Sequence, residues 1–146
     1  MGDVRVNLLT SLSYDFMSYY LADLSTLDLS YNSFSEVPPQ PLNSGYLRAF
    51  GINHQRDHVT KSRTLRTWPT GITKCPSLIQ FQIGDNDIRK VDETLTPHLY
   101  ILNIKGNPNI SIDVTSVCPY IKAGAYRLFY DKTQDIRGCD ALDLEN

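Results

Sequence analysis

The feature that most constrains this chain is an apolar phrase that recurs at a nearly fixed period. Its fullest copy places Leu21, Leu24, Leu27, Leu29, Asn32, Phe34, Val37 and Pro38 in the spacing LxxLxxLxLxxNxFxxVP. The phrase returns at Leu78, Phe81, Ile83, Asn86, Ile88 and Val91, with Cys75 in the place of Leu21. It returns again at Leu99, Leu102, Ile104, Asn107 and Ile110, the last apolar residue falling one place late. A weaker copy lies between the first two, at Leu47, Phe50, Ile52 and Gln55, then Leu65, Trp68 and Pro69. Aligned on Leu27, Phe50, Phe81 and Leu102, the copies are 23, 31 and 21 residues apart. The long step has a local origin. Gln55 and Leu65 stand 10 positions apart where Asn32 and Phe34 stand 2 apart, so a segment is inserted there.

Elementary packing says what such a period builds. Leu27 and Leu29 flank Asp28, as in a short strand with one buried face. A single coil cannot bury its own apolar edge, so neighbouring coils stack and their strands join in a parallel sheet. The recurring Asn can satisfy backbone groups of adjacent coils with its amide, which explains a polar residue inside an apolar phrase. Gln55 is one methylene longer, and its spacing predicts a distortion of that ladder where the insertion leaves.

On these residues the chain resembles leucine-rich repeat proteins, over roughly residues 18–114. The stretch LDLSYNSFSEVP (Leu27 to Pro38) is similar to the extracellular plant-type and receptor-type repeats. The resemblance implies an α/β fold: a short solenoid whose curved parallel sheet has about four strands, with a helical N-terminal cap and an irregular C-terminal cap. Residues 1–20 are then a cap or the remnant of an upstream repeat, 21–114 the repeats with the insertion at about 56–64, and 115–146 the capping region. Phe16, Met17, Tyr20, Leu21 and Leu24 follow Ser13 at helical spacing and suit a capping helix.

After Ile112 the period ends and Tyr120, Tyr126, Phe129 and Tyr130 follow, bracketed by Cys118 and Cys139. Two family readings fit this tail. In the extracellular one, a cysteine-bonded flank closes the last coil, which makes Cys118 and Cys139 the disulfide candidate and puts their Cα atoms within about 7 Å. In the intracellular one, YRLFYDKTQDIRGCD (Tyr126 to Asp140) is similar to a cap motif, with Cys139 in place of its closing Leu and the spacing one residue short.

Composition narrows the chemistry. The chain has 14 Lys and Arg against 16 Asp and Glu, a net charge of −2, which provides no basic field for nucleic acid. Three cysteines without a C-x-x-C pair neither make a disulfide scaffold nor a zinc site. No apolar run reaches the 18 or so residues of a membrane span. The start, MGDVRVNLLTSL, lacks a signal peptide's apolar stretch. It suits a cytosolic protein, or a piece whose targeting segment lies elsewhere. Gly2 suggests lipidation, but residue 6 is Val where Ser or Thr is wanted. His54 and His58 with Asp57 form H-x-x-x-H, yet they leave a strand for an insertion and read as solvated loop residues. Asp85 and Asp87 flank a repeat Asn and lack the rest of a calcium loop. Cys75 sits at an inward position, where a thiol is a small hydrophobe. No nucleotide, hydrolase or dinucleotide motif occurs. The expectation is no catalytic residue, no metal and no cofactor.

Two surfaces remain for function. The strand positions beside the buried pair point to the concave face: Thr26, Asp28 and Ser30; Ala49, Gly51 and Asn53; Gln80, Gln82 and Gly84; Ile101, Asn103 and Lys105. Of these, Asp28, Ser30, Gly51, Asn53, Gln80, Gln82, Asn103 and Lys105 are the partner-binding candidates. This face is small, polar and without large aromatic anchors. The insertion adds Arg56, Lys61, Arg63 and Arg66, four basic residues against Asp57, as a second candidate surface for an acidic protein or a sulfated ligand. Asn109, followed by Ile110 and Ser111, is a glycosylation sequon that matters only in a secreted chain. The resemblance implies a non-enzymatic protein-recognition module of an extracellular repeat protein or receptor, not inserted in a membrane in this segment. The alternative is an intracellular, cytoplasmic structural adaptor within a larger assembly.

Overall fold

The computed structural model describes residues 2–3, 24–39, 41 and 45–142. The helical cap expected at Ser13 to Leu24 lies outside the described residues apart from its last member.

Six short strands form one parallel sheet. They are β1 (Gly2–Asp3), β2 (Thr26–Asp28), β3 (Ala49–Gly51), β4 (Gln80–Gln82), β5 (Ile101–Asn103) and β7 (Arg127–Phe129), in that spatial order. The register sets Leu27 beside Phe50, Phe50 beside Phe81, and Phe81 beside Leu102. Each of these four side chains is at most 1 % exposed. A second, two-stranded parallel sheet pairs β6 (Ser111–Asp113) with β8 (Asp135–Arg137) on the return side of the last two coils.

The core follows from the repeat. Phe50 and Phe81 stack with ring centroids 5.7 Å apart, and Trp68 meets Phe81 edge-on at the same separation. Beneath them Leu29, Ile52, Ile83 and Ile104 form a second buried row. The Trp68 indole donates to Glu93 Oε1 at 2.6 Å, and Glu93 Oε2 accepts from Gly71 N and Thr73 Oγ1. One carboxylate thus joins the returns of the β3 and β4 coils.

The amide ladder runs the length of the array. Asn86 donates to the carbonyls of Ile52, Ile83 and Gly84, and its Oδ1 accepts from Gln55 N at 2.9 Å. Asn107 does the same one coil on, toward Ile83 and Ile104, accepting from Ile88 N. The distortion expected at Gln55 does not occur. Its longer side chain reaches the Leu29 carbonyl at 3.0 Å and accepts from Phe34 N, so the rung is complete.

The segment expected to be an irregular cap contains another coil. Leu128 pairs with Leu102 in register, and Gln134 supplies a further rung by donating to the carbonyls of Ile104 and Asn107. Between β6 and β7 lies a short helix, α1 (Cys118–Lys122). Cys118 and Cys139 are disulfide-bonded, with Cα atoms 5.3 Å apart, tying the start of α1 to the residues just after β8.

Candidate recognition surface

The side chains on the open face of the sheet come from alternate strand positions, so each coil presents a row of them. Asn53 is the centre of this face. Its Nδ2 donates to Gln82 Oε1 at 3.1 Å, its Oδ1 accepts from Gly84 N, and its backbone N–H donates to Ser30 Oγ. Asp28 accepts from Ser30 N and Asn103 accepts from Lys105 N, each at the strand's exit. Gly51 leaves an open recess bordered by Thr26, Asp28, Gln80 and Gln82. Ser30, expected among the exposed candidates, is only 2 % exposed, because its hydroxyl turns inward to hold Asn53. It positions the face and does not present itself.

Strand β7 extends this face beyond the four expected strands. Arg127 stands beside Ile101, and Phe129 beside Asn103. Phe129 is 39 % exposed, which places one large aromatic on a face that the repeats alone leave without any. The sequence signal was present in the aromatic tail, but its spacing concealed the strand.

The insertion is a hairpin. Arg56 and Arg63 form an antiparallel bridge, Asp57 N donates to the Ser62 carbonyl, and Asp57 Oδ1 caps the turn by accepting from Val59 N and Thr60 N. Those two hydrogen bonds hold the Asp57 carboxyl below its ordinary range. The arginines do emerge on one side, but they turn back to the solenoid. Arg56 bonds Asp85 Oδ1 at 2.8 Å and the Asp85 carbonyl at 2.7 Å. Arg63 donates to the carbonyls of Asn86 and Gly106 and lies 3.5 Å from Asp85. Arg66 lies 3.7 Å from Asp87. Lys61, at the hairpin tip, donates to the His58 carbonyl and points to solvent.

Asp85 collects these groups. His54 Nδ1 contacts its second oxygen, and the His54 ring lies 4.7 Å from Tyr31. Burial pushes the Asp85 carboxyl upward, but the His54 hydrogen bond and the Arg56 charge outweigh it and hold the group below its usual range. His54 therefore faces Asp85, away from any joint ligation with His58. Tyr31, His54, Asp85 and Gly106 occupy one position in successive coils, all with positive φ (61°, 52°, 54° and 77°). At Gly106 a Cβ would come within 2.9 Å of the Asp85 Cα, so only glycine fits the turn that receives Arg63.

Asn109 is exposed at the turn before β6, and Ser111 Oγ donates to Asp135 Oδ2. Cys75 is buried, its thiol directed to the Gly71 carbonyl, and burial pushes it up, with Glu93 adding to the shift. Among the described residues no helix is long and apolar enough to cross a membrane.

One short parallel strand per coil, one buried amide per turn and a polar sheet face define a repeat scaffold. Solved structures carry the same architecture. A leucine-rich repeat protein from Bacteroides thetaiotaomicron is 70 % identical over 99 % of this chain, with a TM-score of 0.93. Another from Bacteroides eggerthii is 64 % identical over 98 %, with a TM-score of 0.91. The chain belongs to the leucine-rich repeat proteins. It spans 17 % and 23 % of those two chains. No family model matches it, and no curated protein does.

Proposed function

We propose that the chain is a non-enzymatic protein-recognition module of an extracellular leucine-rich repeat protein, working through the concave sheet face. The observation that carries this reading is the face itself. Asp28, Gly51, Asn53, Gln80, Gln82 and Asn103 are half-exposed on consecutive parallel strands and offer carboxylate and amide groups. Ser30, beside Asp28, is 2 % exposed and its hydroxyl is turned inward onto Asn53 N, which supports recognition over nucleophilic catalysis. The bond between Cys118 and Cys139 supports an oxidising compartment, because such bonds persist mainly outside the cytosol. The partner is an acidic protein, met by Lys105 on the face and by Lys61 at the exposed hairpin tip, while Arg56, Arg63 and Arg66 are taken up by Asp85 and Asp87.

Two measurements test the two halves of this reading. Protein alkylated at harvest from its native source should leave only Cys75 to be modified after denaturation, and reaction at Cys118 and Cys139 would overturn the extracellular assignment. A partner captured by the wild-type chain should be lost with Gln82→Glu, which sets a like charge against the acidic partner, circular dichroism reporting that the variant is folded. Capture unchanged by that substitution would overturn the use of the concave face.

A further inference from the structure

We infer that the β5–β7 end of the concave face is an anchor for an extended polypeptide segment in which an acidic and an apolar residue stand two apart, on one face; this rests on the recognition reading above. Four observations converge there. Phe129 is the large aromatic side chain exposed on the face, and Ile101 lies half-buried on the neighbouring strand. The Arg127 guanidinium sits 5.5 Å from the Phe129 ring centroid, so the ring supports one face of the cation while its N–H edge stays open. Among the described residues no carboxylate lies within ion-pair distance of Arg127. Arg56, Arg63 and Arg66, by contrast, already meet Asp85 and Asp87. Lys105 adds a second cation beside Asn103, and Asp131, across from it on the β7 coil, is held by Gly106 N.

The chemistry follows from that arrangement. A guanidinium fixed on an aromatic ring takes a carboxylate through two parallel hydrogen bonds, and the exposed ring edge and Ile101 take the apolar side chain two residues along, on the same face. Neighbouring strands are about 4.8 Å apart and an extended segment advances about 3.3 Å per residue, so about three to four residues lying across the strands pass β7, then β5, then the amides of Gln80 and Gln82. The insertion arginines cannot play this part without breaking their bonds to Asp85 and to the Asn86 and Gly106 carbonyls.

The probe is the hexapeptide Ser-Glu-Ser-Phe-Ser-Glu, whose extended form carries glutamate and phenylalanine on one face, titrated into the 146-residue chain with amide shifts followed by heteronuclear NMR. Shifts should concentrate in 101–105 and 127–131, Arg127→Glu should weaken binding at least tenfold, and Phe129→Ala should weaken it severalfold. The lysine–phenylalanine counterpart should not bind. Circular dichroism of each variant reports folding, and both substituted side chains are exposed. Several outcomes overturn the anchor: no saturable shift, equal binding of the lysine peptide, indifference to Arg127→Glu, or shifts centred on the insertion. Polygalacturonate binding at these residues while the peptide is silent overturns it too. Saturable shifts confined to β2–β4 would overturn the anchor while leaving recognition by the concave face standing.

Discussion

The central coils and the last coil solve the same packing problem by different means. In the β2 to β5 coils every strand has a neighbour on each side, and Leu27, Phe50, Phe81 and Leu102 are sealed to within 1 % exposure. Among the described residues the β7 coil has a neighbour on one side, and Leu128, the next member of that row, is only half-buried. It makes up the difference with Gln134 below and the Cys118–Cys139 bond behind. A repeat interior therefore draws its stability from redundancy, and a repeat end from individual links.

The largest expected effect breaks the central side of this comparison. Phe81→Ala should cost about 3–5 kcal/mol, since the site is shared with Phe50 and Trp68 and cannot collapse fully. Urea denaturation followed through Trp68, the single tryptophan, measures it, and a loss under about 1 kcal/mol would place Phe81 outside the core. The disulfide comes next. Replacing Cys118 and Cys139 together by Ser should cost about 2–4 kcal/mol. Hydrogen exchange should accelerate in β7 and β8 first, with β3 and β4 little changed. Uniform acceleration would mean that the last coil is not a separate unit.

A third test compares rungs. Asn86→Ala strands the Ile52 carbonyl and the Gln55 N–H in the interior and takes one of two donors from the Ile83 and Gly84 carbonyls, so about 2–3 kcal/mol is expected. Gln134→Ala strands the Ile104 and Asn107 contacts near an end and should cost about 1–2 kcal/mol. Equal losses would erase the distinction between interior and end. The smallest effect concerns acid. A carboxyl whose folded pKa is depressed stabilises the fold above its ordinary value, 3.8 for Asp85, and that contribution disappears as pH falls through the folded value. Wild type should therefore lose more stability than Asp85→Asn on acidification below about pH 4. Parallel acid profiles would show that Asp85 is not holding the hairpin.

What was readable in the sequence divides along the same line. The order, direction and register of β2 to β5 follow from the phrase, because each copy repeats the burial pattern of its neighbour. The β7 coil escaped notice for physical reasons. Leu128 comes 26 residues after Leu102, Tyr130 replaces the second aliphatic, and Gln134 stands six places after Leu128 where Asn107 stands five after Leu102. A longer amide spans the extra residue, whereas Gln55 keeps the five-place spacing from Phe50 and stands before the insertion. The fate of the basic insertion was also hidden. Arg56 and Arg63 read as surface charge until Asp85, far off in sequence, is found beneath them. Phe129 and Arg127 could join the candidate face only once their strand was known.

The hairpin's reach has one more consequence. An array whose units touch only adjacent units unravels from its ends one step at a time, each boundary failing independently. Arg63 departs from the β3 coil, yet bonds Gly106 in the β5 coil, passing over the β4 coil between them. Ser33 Oγ bonds the Arg56 carbonyl and Thr64 Oγ1 the Phe34 carbonyl, which joins the β2 coil to the same hairpin. Fraying that enters from the C-terminal side thus meets a block of four coils that must open together. The inserted residues act as a staple that turns a nearest-neighbour chain into one cooperative unit.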